Sequence, residues 1–280
     1  MQEHQEDGRV LAGGQSLVPL LALRLARPAL LTDLARITEL ARLRERDGGI
    51  SIGAMVRQRV AERSPLVRQR APLLAAALKF IAHPAIRSRG TIGGSLAHAD
   101  PAAELPAVVV TLEAELLVAS SERGERTIAA ADFFSGHYTT ALLADEILTE
   151  IRIPGPRPRT GFSFQEVSRR SGDFAMVGVA AAVEVEEGSI RGARVCLTGV
   201  ADRPVLATGP DLGLLGVAPD HGLFEAAGEA IAARLRPPTD LHGSSEYRRQ
   251  LAQVLVARAL RSASQRARGE DEDRGEGGPE

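Results

Sequence analysis

The chain has 280 residues, enough for one large domain or two ordinary ones, and 44% of them are hydrophobic, enough to fill a core of that size. A formal net charge of -2, with 25% charged residues of both signs, supplies no long-range field that would draw the chain onto nucleic acid or an anionic membrane. The single cysteine, Cys196, excludes an internal disulfide and leaves any iron–sulfur cluster, which needs about four thiolates, to a partner.

The first residues, MQEHQEDGRV, are acidic and polar, unlike a signal peptide, and no run approaches the roughly 18 apolar residues of a membrane span. A cytoplasmic location is expected. Val10-Leu11 reads as a short β run leading into AGGQSLVPLLALRLA, residues 30–33 as a short extended piece, and residues 50–53 as a strand after a Gly48-Gly49 turn. From Thr91 a helix is expected over 102–111, a β run over 115–119, a turn in ERGER, and a strand over 147–153.

The stretch PGPRPRT at 154–160 resists both helix and interior strand, so the domain boundary is set there. Beyond it, residues 162–168, 178–186 and 190–199 read as β-rich, the last two joined at Glu187-Gly188-Ser189 as a hairpin. Helices follow over 223–235 and from Ser244-Ser245-Glu246, where the serines can cap the first turn. In the second helix Tyr247, Leu251, Val254, Leu255 and Ala259 fall at helical spacing and are expected to form the apolar stripe that packs on the sheet. The tail from Arg266, RARGEDEDRGEGGPE, has almost nothing to bury and is expected to be disordered. The fold class is α+β.

Two glycine pairs stand out: Gly13-Gly14 in LAGGQSLVPLLALRL, and Gly93-Gly94 in RSRGTIGGSLAHADP. Glycine reaches positive φ without steric cost and lets a backbone amide approach a ligand oxygen. Consecutive inward amides make an anion site, and two such segments could hold a diphosphate from two sides. Neither pair fits the Rossmann or Walker spacing. Spacing alone leaves a plain turn and an anion site both open.

Other candidates carry less. His83, His98 and His137 lack a cysteine partner and paired helical spacing, which favours local hydrogen bonding over a metal site. Ser95, His98 and Asp100 have no G-x-S-x-G elbow to make them a nucleophilic triad. Arg169-Arg170 before Ser171-Gly172-Asp173 is a phosphate grip or a surface salt-bridge turn, with the surface reading preferred. Cys196, in the β run RVCLTGV, is expected to be a buried core residue.

Four segments in order, AGGQSLVPLLALRLARP, IAHPAIRSRGTIGGSLAHADPAAELPAV, DEILTEIRIP and FSFQEVSRRSGDFAMVGVAAAV, resemble signature segments of the FAD-binding medium subunit of the carbon monoxide dehydrogenase and xanthine dehydrogenase family of molybdenum hydroxylases. YRRQLAQVLVARAL is similar to that family's C-terminal helix. The resemblance implies a two-lobed FAD-binding domain of the vanillyl-alcohol-oxidase (PCMH) type over residues 1–155. It implies next an α+β C-terminal domain with an antiparallel sheet and helices over 160–265, followed by the tail 266–280.

By the same resemblance, Ala12, Gly13, Gly14, Gln15, Ser16 and Leu17 line one side of the FAD diphosphate, and Thr91, Ile92, Gly93, Gly94 and Ser95 the other. Glu104 matches an acid that contacts the cofactor and Leu148 an apolar contact. Ile81 stands where some relatives place an aromatic ring near the flavin. Asp173 and Phe174 belong to the segment that turns near it, with Phe174 in place of a tyrosine that covers the ring in some relatives. Gln165 and Glu166 stand where relatives often have a lysine, and neither supplies its charge. Relatives carry an initial strand and helix ahead of the AGGQS segment, so either the start is misassigned or the first lobe is incomplete, and an incomplete lobe is expected to expose apolar surface and weaken FAD binding.

The implied function is an oxidoreductase component without a catalytic acid or base of its own and without a metal. Electrons from 2Fe-2S clusters on a small partner, themselves supplied by a large molybdopterin-binding partner, pass through FAD to NAD, a quinone or another acceptor. Two alternatives remain open on the sequence: an FAD-free interaction module that keeps the fold, and a stand-alone FAD-dependent oxidoreductase.

Overall fold

The computed structural model describes residues 8–270 of the 280. They form two compact units. One holds the residues up to Ala71 together with Ala82–Asp100 and Glu113–Gly155; the other holds Pro72–Ile81, Pro101–Leu112 and the residues from Pro156 onward. The last boundary falls inside the proline-rich stretch, where no helix or strand spans 154–159.

Strand β1 (Gly8–Leu11) pairs in parallel with β2 (Leu30–Asp33), Gly8 beside Leu30 and Leu11 beside Asp33. A parallel pair needs a crossover rather than a hairpin, and helix α1 (Leu17–Ala22) lies in it. None of the α1 side chains is buried, and Val18, Leu23 and Leu25 in and after it are exposed.

Strands β3 (Leu43–Arg46) and β4 (Gly49–Gly53) form a hairpin whose turn residues Asp47 and Gly48 have φ of 49° and 76°. Two left-handed residues in a two-residue turn match the twist of the strands they join. Three short helices follow, α2 (Gln58–Arg63), α3 (Pro65–Arg70) and α4 (Pro72–Ala77). At α3, Ser64 accepts the Val67 amide at 3.3 Å and Pro65 takes the first position, so cap and proline restart the chain as a new helix. Helices α5 (Pro84–Arg87) and α6 (Ile92–His98) return to the first unit, and α7 (Glu104–Thr111), buried along its whole length, belongs to the second, as α4 does.

The first unit is completed by β5 (Glu115–Ser120), β6 (Gly124–Ala129), α8 (Ala130–Phe133), the small hairpin of β7 (Phe134–Gly136) and β8 (Thr139–Thr140), and β9 (Ile147–Ile153). Its main sheet is antiparallel in the order β3-β4-β9-β5-β6. β4 is an interior strand and wholly buried, and Ile50, Ile52, Leu116 and Ile151 of the sheet share the core with Ile92 and Leu96 of α6. The turn expected in ERGER is tighter and earlier. The Ser120 hydroxyl accepts the amides of Glu122 and Arg123 at 3.2 and 3.3 Å, so β6 already begins at Gly124.

In the second unit β10 (Thr160–Val167), β11 (Val177–Glu186), β12 (Ser189–Thr198) and β13 (Val205–Thr208) form an antiparallel meander in chain order. The expected hairpin turns at Glu187 and Gly188, with φ of 50° and 75°. Helices α9 (Gly209–Leu212), α10 (His221–Arg234) and α11 (Ser245–Ala267) follow; α11 packs on β10, β11 and α10. Cys196 is a fully buried core residue, and burial pushes its thiol pKa up.

The face that α11 buries overlaps only in part with the stripe expected from spacing. Leu255 and Ala259 are buried and Leu251 is partly buried against the core, but Tyr247 and Val254 are exposed, and Arg248, Ala252, Val256, Leu260 and Ala263 join the buried face. Arg248 sets this rotation: its guanidinium donates to the carbonyls of Met176 at 2.6 Å and Gly199 at 3.0 Å and to the Asp240 carboxylate at 2.8 Å. The tail also starts later than expected, because α11 continues to Ala267; the rest of that expectation, from residue 271, lies outside the described residues, as do residues 1–7.

Candidate functional site

The second glycine segment is shaped by its own hydrogen bonds. Thr91 caps α6, its hydroxyl accepting the Gly94 amide at 3.0 Å. The Ile92 amide donates to Val56 O at 3.0 Å, Gly93 to Ala54 O at 2.9 Å, and Ser95 to Thr91 O at 3.2 Å. All four amides of residues 92–95 are therefore committed inside the protein. Gly93 lies against Ala54 so closely that a Cβ would meet the Ala54 backbone at 2.7 Å.

The first segment differs. Among the described residues, the amides of Gly13, Gly14, Gln15, Ser16 and Leu17 donate to no protein acceptor, while Val18 closes the first turn of α1 on Gly14 O at 3.0 Å. Gly14 has φ of 76°, which turns the chain into α1. The Gln15 side chain bonds back to Gly13 O at 3.2 Å.

The fold brings the two segments into contact. A Cβ on Gly13 would overlap the Arg89 carbonyl and stand 2.8 Å from Gly90 Cα, and a Cβ on Gly94 would stand 3.2 Å from that of Ala12. Glycines are required here by the chain's own packing, whatever else occupies the site. The product is a neutral cradle: one wall presents unused amides, the other is fixed by its internal bonds, and residues 12–17 and 91–95 include no charged side chain. Unused amides on a glycine turn are the donor set an anion such as the FAD diphosphate needs, so these residues fit the cofactor that the sequence implies. Arg57, absent from the sequence expectations, donates to Arg89 O at the junction of the segments.

Leu148 is buried on β9 in the same unit, and α6 packs against that strand. At the other end of α6, Tyr138 donates to Asp100 at 3.2 Å, and its ring contacts those of His98 and His137, with centroids 4.9 and 4.4 Å away. Burial lowers the His98 pKa against the opposing pull of Asp100. Asp100 and His98 thus both face Tyr138. Among the described residues no three His, Cys, Asp or Glu side chains meet as a metal site would require.

The other expected contacts, Ile81, Glu104, Asp173 and Phe174, belong to the second unit. Ile81 is buried, and Phe80 beside it carries the aromatic ring, 5.2 Å from that of Phe164. Glu104 opens α7 and is buried; Glu166 on β10 has one carboxyl oxygen buried without a hydrogen-bond partner. Burial, and then the Glu104 charge, push the Glu166 pKa up to about 9. Asp173 closes an exposed turn by donating its amide to Arg170 O at 3.0 Å, and Phe174 after it is 65% exposed. In the same turn Ser168 bonds Arg170 O at 2.9 Å, so backbone and hydroxyl bonds hold it.

Comparison with known proteins shows the family. Residues 1–156 match the family described as the FAD binding domain in molybdopterin dehydrogenase, and residues 162–263 match the CO dehydrogenase flavoprotein C-terminal domain. The 6-hydroxypseudooxynicotine dehydrogenase complex subunit alpha of Paenarthrobacter nicotinovorans is 40% identical over 264 residues, covering 94% of this chain and 89% of the relative. The solved carbon monoxide dehydrogenase of Hydrogenophaga pseudoflava that lacks the Mo-pyranopterin moiety superposes with a TM-score of 0.90 at 38% identity, covering 94% of this chain and 91% of its own. Quinoline 2-oxidoreductase of Pseudomonas putida 86 gives a TM-score of 0.88 at 39% identity, with 95% of both chains covered.

Proposed function

The chain belongs to the family of FAD-binding subunits of molybdopterin dehydrogenases, and from that premise we propose that it is the electron-transfer subunit of a molybdenum hydroxylase. It is an FAD-binding oxidoreductase subunit. In the proposed assembly a large molybdopterin-binding chain oxidises the substrate, a small 2Fe-2S chain relays electrons, and this chain hands them to NAD, a quinone or another acceptor. FAD, when bound, supplies the redox chemistry.

The observation that carries the reading is the cradle. In the proposal the amides of Gly13, Gly14, Gln15, Ser16 and Leu17, which have no acceptor among the described residues, hold the diphosphate. The wall of Thr91, Ile92, Gly93, Gly94 and Ser95 keeps its shape because its amides are bonded inward. Ala12 and Leu148 close the site with apolar surface. The protein thus positions and encloses the cofactor and contributes no acid or base. The cluster of iron and sulfur falls to a partner because the only cysteine, Cys196, is buried in the core.

We assign residues 1–155 to FAD binding and 160–265 to the C-terminal domain, and place the chain in the cytoplasm; among the described residues no helix is long and apolar enough to cross a membrane. Affinity isolation from the native host tests the assembly. Recovery together with a molybdopterin-binding chain and a 2Fe-2S chain is expected; an active lone monomer would overturn the subunit reading.

A further inference from the structure

The cradle contains a charge problem. FAD brings a diphosphate of roughly two negative charges, and a desolvated anion is costly unless a cation meets it. The segments 12–17 and 91–95 carry no cation, and free amides offer dipoles only.

The main chain of Arg57 is pinned opposite Thr91. These two residues form an antiparallel bridge in which Ile92 N donates to Val56 O at 3.0 Å and Gln58 N donates to Gly90 O at 2.9 Å. The guanidinium reaches back to the Arg89 carbonyl, the same oxygen against which Gly13 is packed. Arg57 therefore stands where the first segment meets the second. Of the cations nearby, Arg59 and Arg87 share the single carboxylate of Glu62, at 2.8 and 3.1 Å. Arg57 spends one hydrogen bond on a neutral carbonyl and forms no ion pair among the described residues. A guanidinium has five N–H donors in a planar fork, so donors remain for a phosphate oxygen pair.

We propose that Arg57 is the cation of the diphosphate cradle, gripping the FAD phosphates at the junction of the two glycine segments. The assignment rests on the FAD reading above and explains how a cradle whose two glycine segments carry no cation can meet the charge.

The test uses the full chain as wild type, Arg57→Gln, Arg57→Lys and, as a control, Arg68→Gln, whose exposed side chain bonds Arg63 O. FAD affinity is read from flavin fluorescence quenching over a series of salt concentrations, with ADP-ribose as a competitor that shares the diphosphate but not the flavin. Thermal unfolding of each apoprotein is read alongside. Arg57→Gln should weaken FAD and ADP-ribose in equal proportion, by about tenfold or more, and flatten the salt dependence. Arg57→Lys should retain part of both, Arg68→Gln all of both, and the apo unfolding midpoints should stay together. Unchanged affinity and salt slope in Arg57→Gln would overturn the assignment, as would an affinity loss that tracks a lowered apo midpoint with the salt slope intact. Wild-type protein that binds no FAD would overturn the parent reading, and this one with it; wild-type binding with an unaffected Arg57→Gln overturns this one alone.

Discussion

The Gly93 amide donates to the Ala54 carbonyl at 2.9 Å, and that closeness leaves no room for a side chain: a Cβ on Gly93 would meet the Ala54 Cα and O at 2.7 Å. Overlap with backbone cannot be relieved by a rotamer change. Gly93→Ala should therefore lower apoprotein stability by about 1–3 kcal/mol, seen as a lower midpoint in urea, as well as weaken FAD binding. A midpoint equal to wild type would show that the segment can give way.

Gly14 separates the two roles. Its φ of 76° suits glycine, but its nearest obstacle is a flexible atom, Val18 Cγ2, at 3.0 Å. Gly14→Ala should cost only about 1 kcal/mol of stability while redirecting the unused amides of residues 13–17. The expected result is a large loss of FAD affinity at nearly constant unfolding midpoint, measured by flavin titration of the same sample. Full affinity would take those amides out of the site.

Arg248 should be the most sensitive position of α11. Replacing it with methionine strands the carbonyls of Met176 and Gly199 and removes the partner of Asp240. Asp240 is exposed to water, so the loss comes from the two carbonyls, each costing about 1–3 kcal/mol when left without a donor. Urea unfolding of Arg248→Met should show a loss of that order; a loss below about 1 kcal/mol would contradict the anchoring role.

Acid should act through Glu146. Its carboxylate accepts two bonds from Arg126, both 2.7 Å, and those bonds bring its pKa from 4.5 to about 2. A carboxylate whose pKa is depressed by folding stabilises fully above its unfolded value, and that contribution disappears as pH falls through the folded one. Wild-type stability should thus drop between about pH 4.5 and 2, and Glu146→Gln should show a shallower drop across that window in denaturant titrations.

Glu166 should act in the opposite direction. Burial and Glu104 raise its pKa from 4.5 to about 9, so the folded protein holds a proton that the unfolded chain releases. Stability should fall as pH rises from about 4.5 to 9. Glu166→Gln, which keeps the shape and removes the titration, should flatten that slope; an unchanged slope would place the alkaline dependence elsewhere.

Much of the architecture was legible because it is local. The strand over 147–153 and the hairpin at Glu187-Gly188 follow from short-range pattern and turn chemistry, and Ser244 caps α11 by accepting the Tyr247 amide at 3.2 Å, as a serine before a helix should. What the pattern could not give was set by distant partners. The buried face of α11 turns on Arg248, a polar residue that spacing of apolar groups assigns to solvent, and its partners are Met176 and Gly199 on other segments. The short helices over 58–77 run six residues each, less than two turns, too short for a repeating apolar pattern to be read.

The site was half legible in the same sense. Two glycine pairs could be seen, but not that Gly13 rests on Arg89 and Gly90, nor that one segment keeps its amides free while the other spends them. Arg57 gives no sequence signal at all, because its place depends on the bridge to Thr91.

The central claim is that the cradle recognises a diphosphate, and a titration of the full chain with FAD, FMN and riboflavin tests it most directly. All three share the isoalloxazine ring, but only FAD carries the diphosphate. The account predicts that FAD binds at least about tenfold more tightly than either of the others, one charge-assisted contact's worth of preference. Equal affinity for all three, or no binding of FAD, would contradict it.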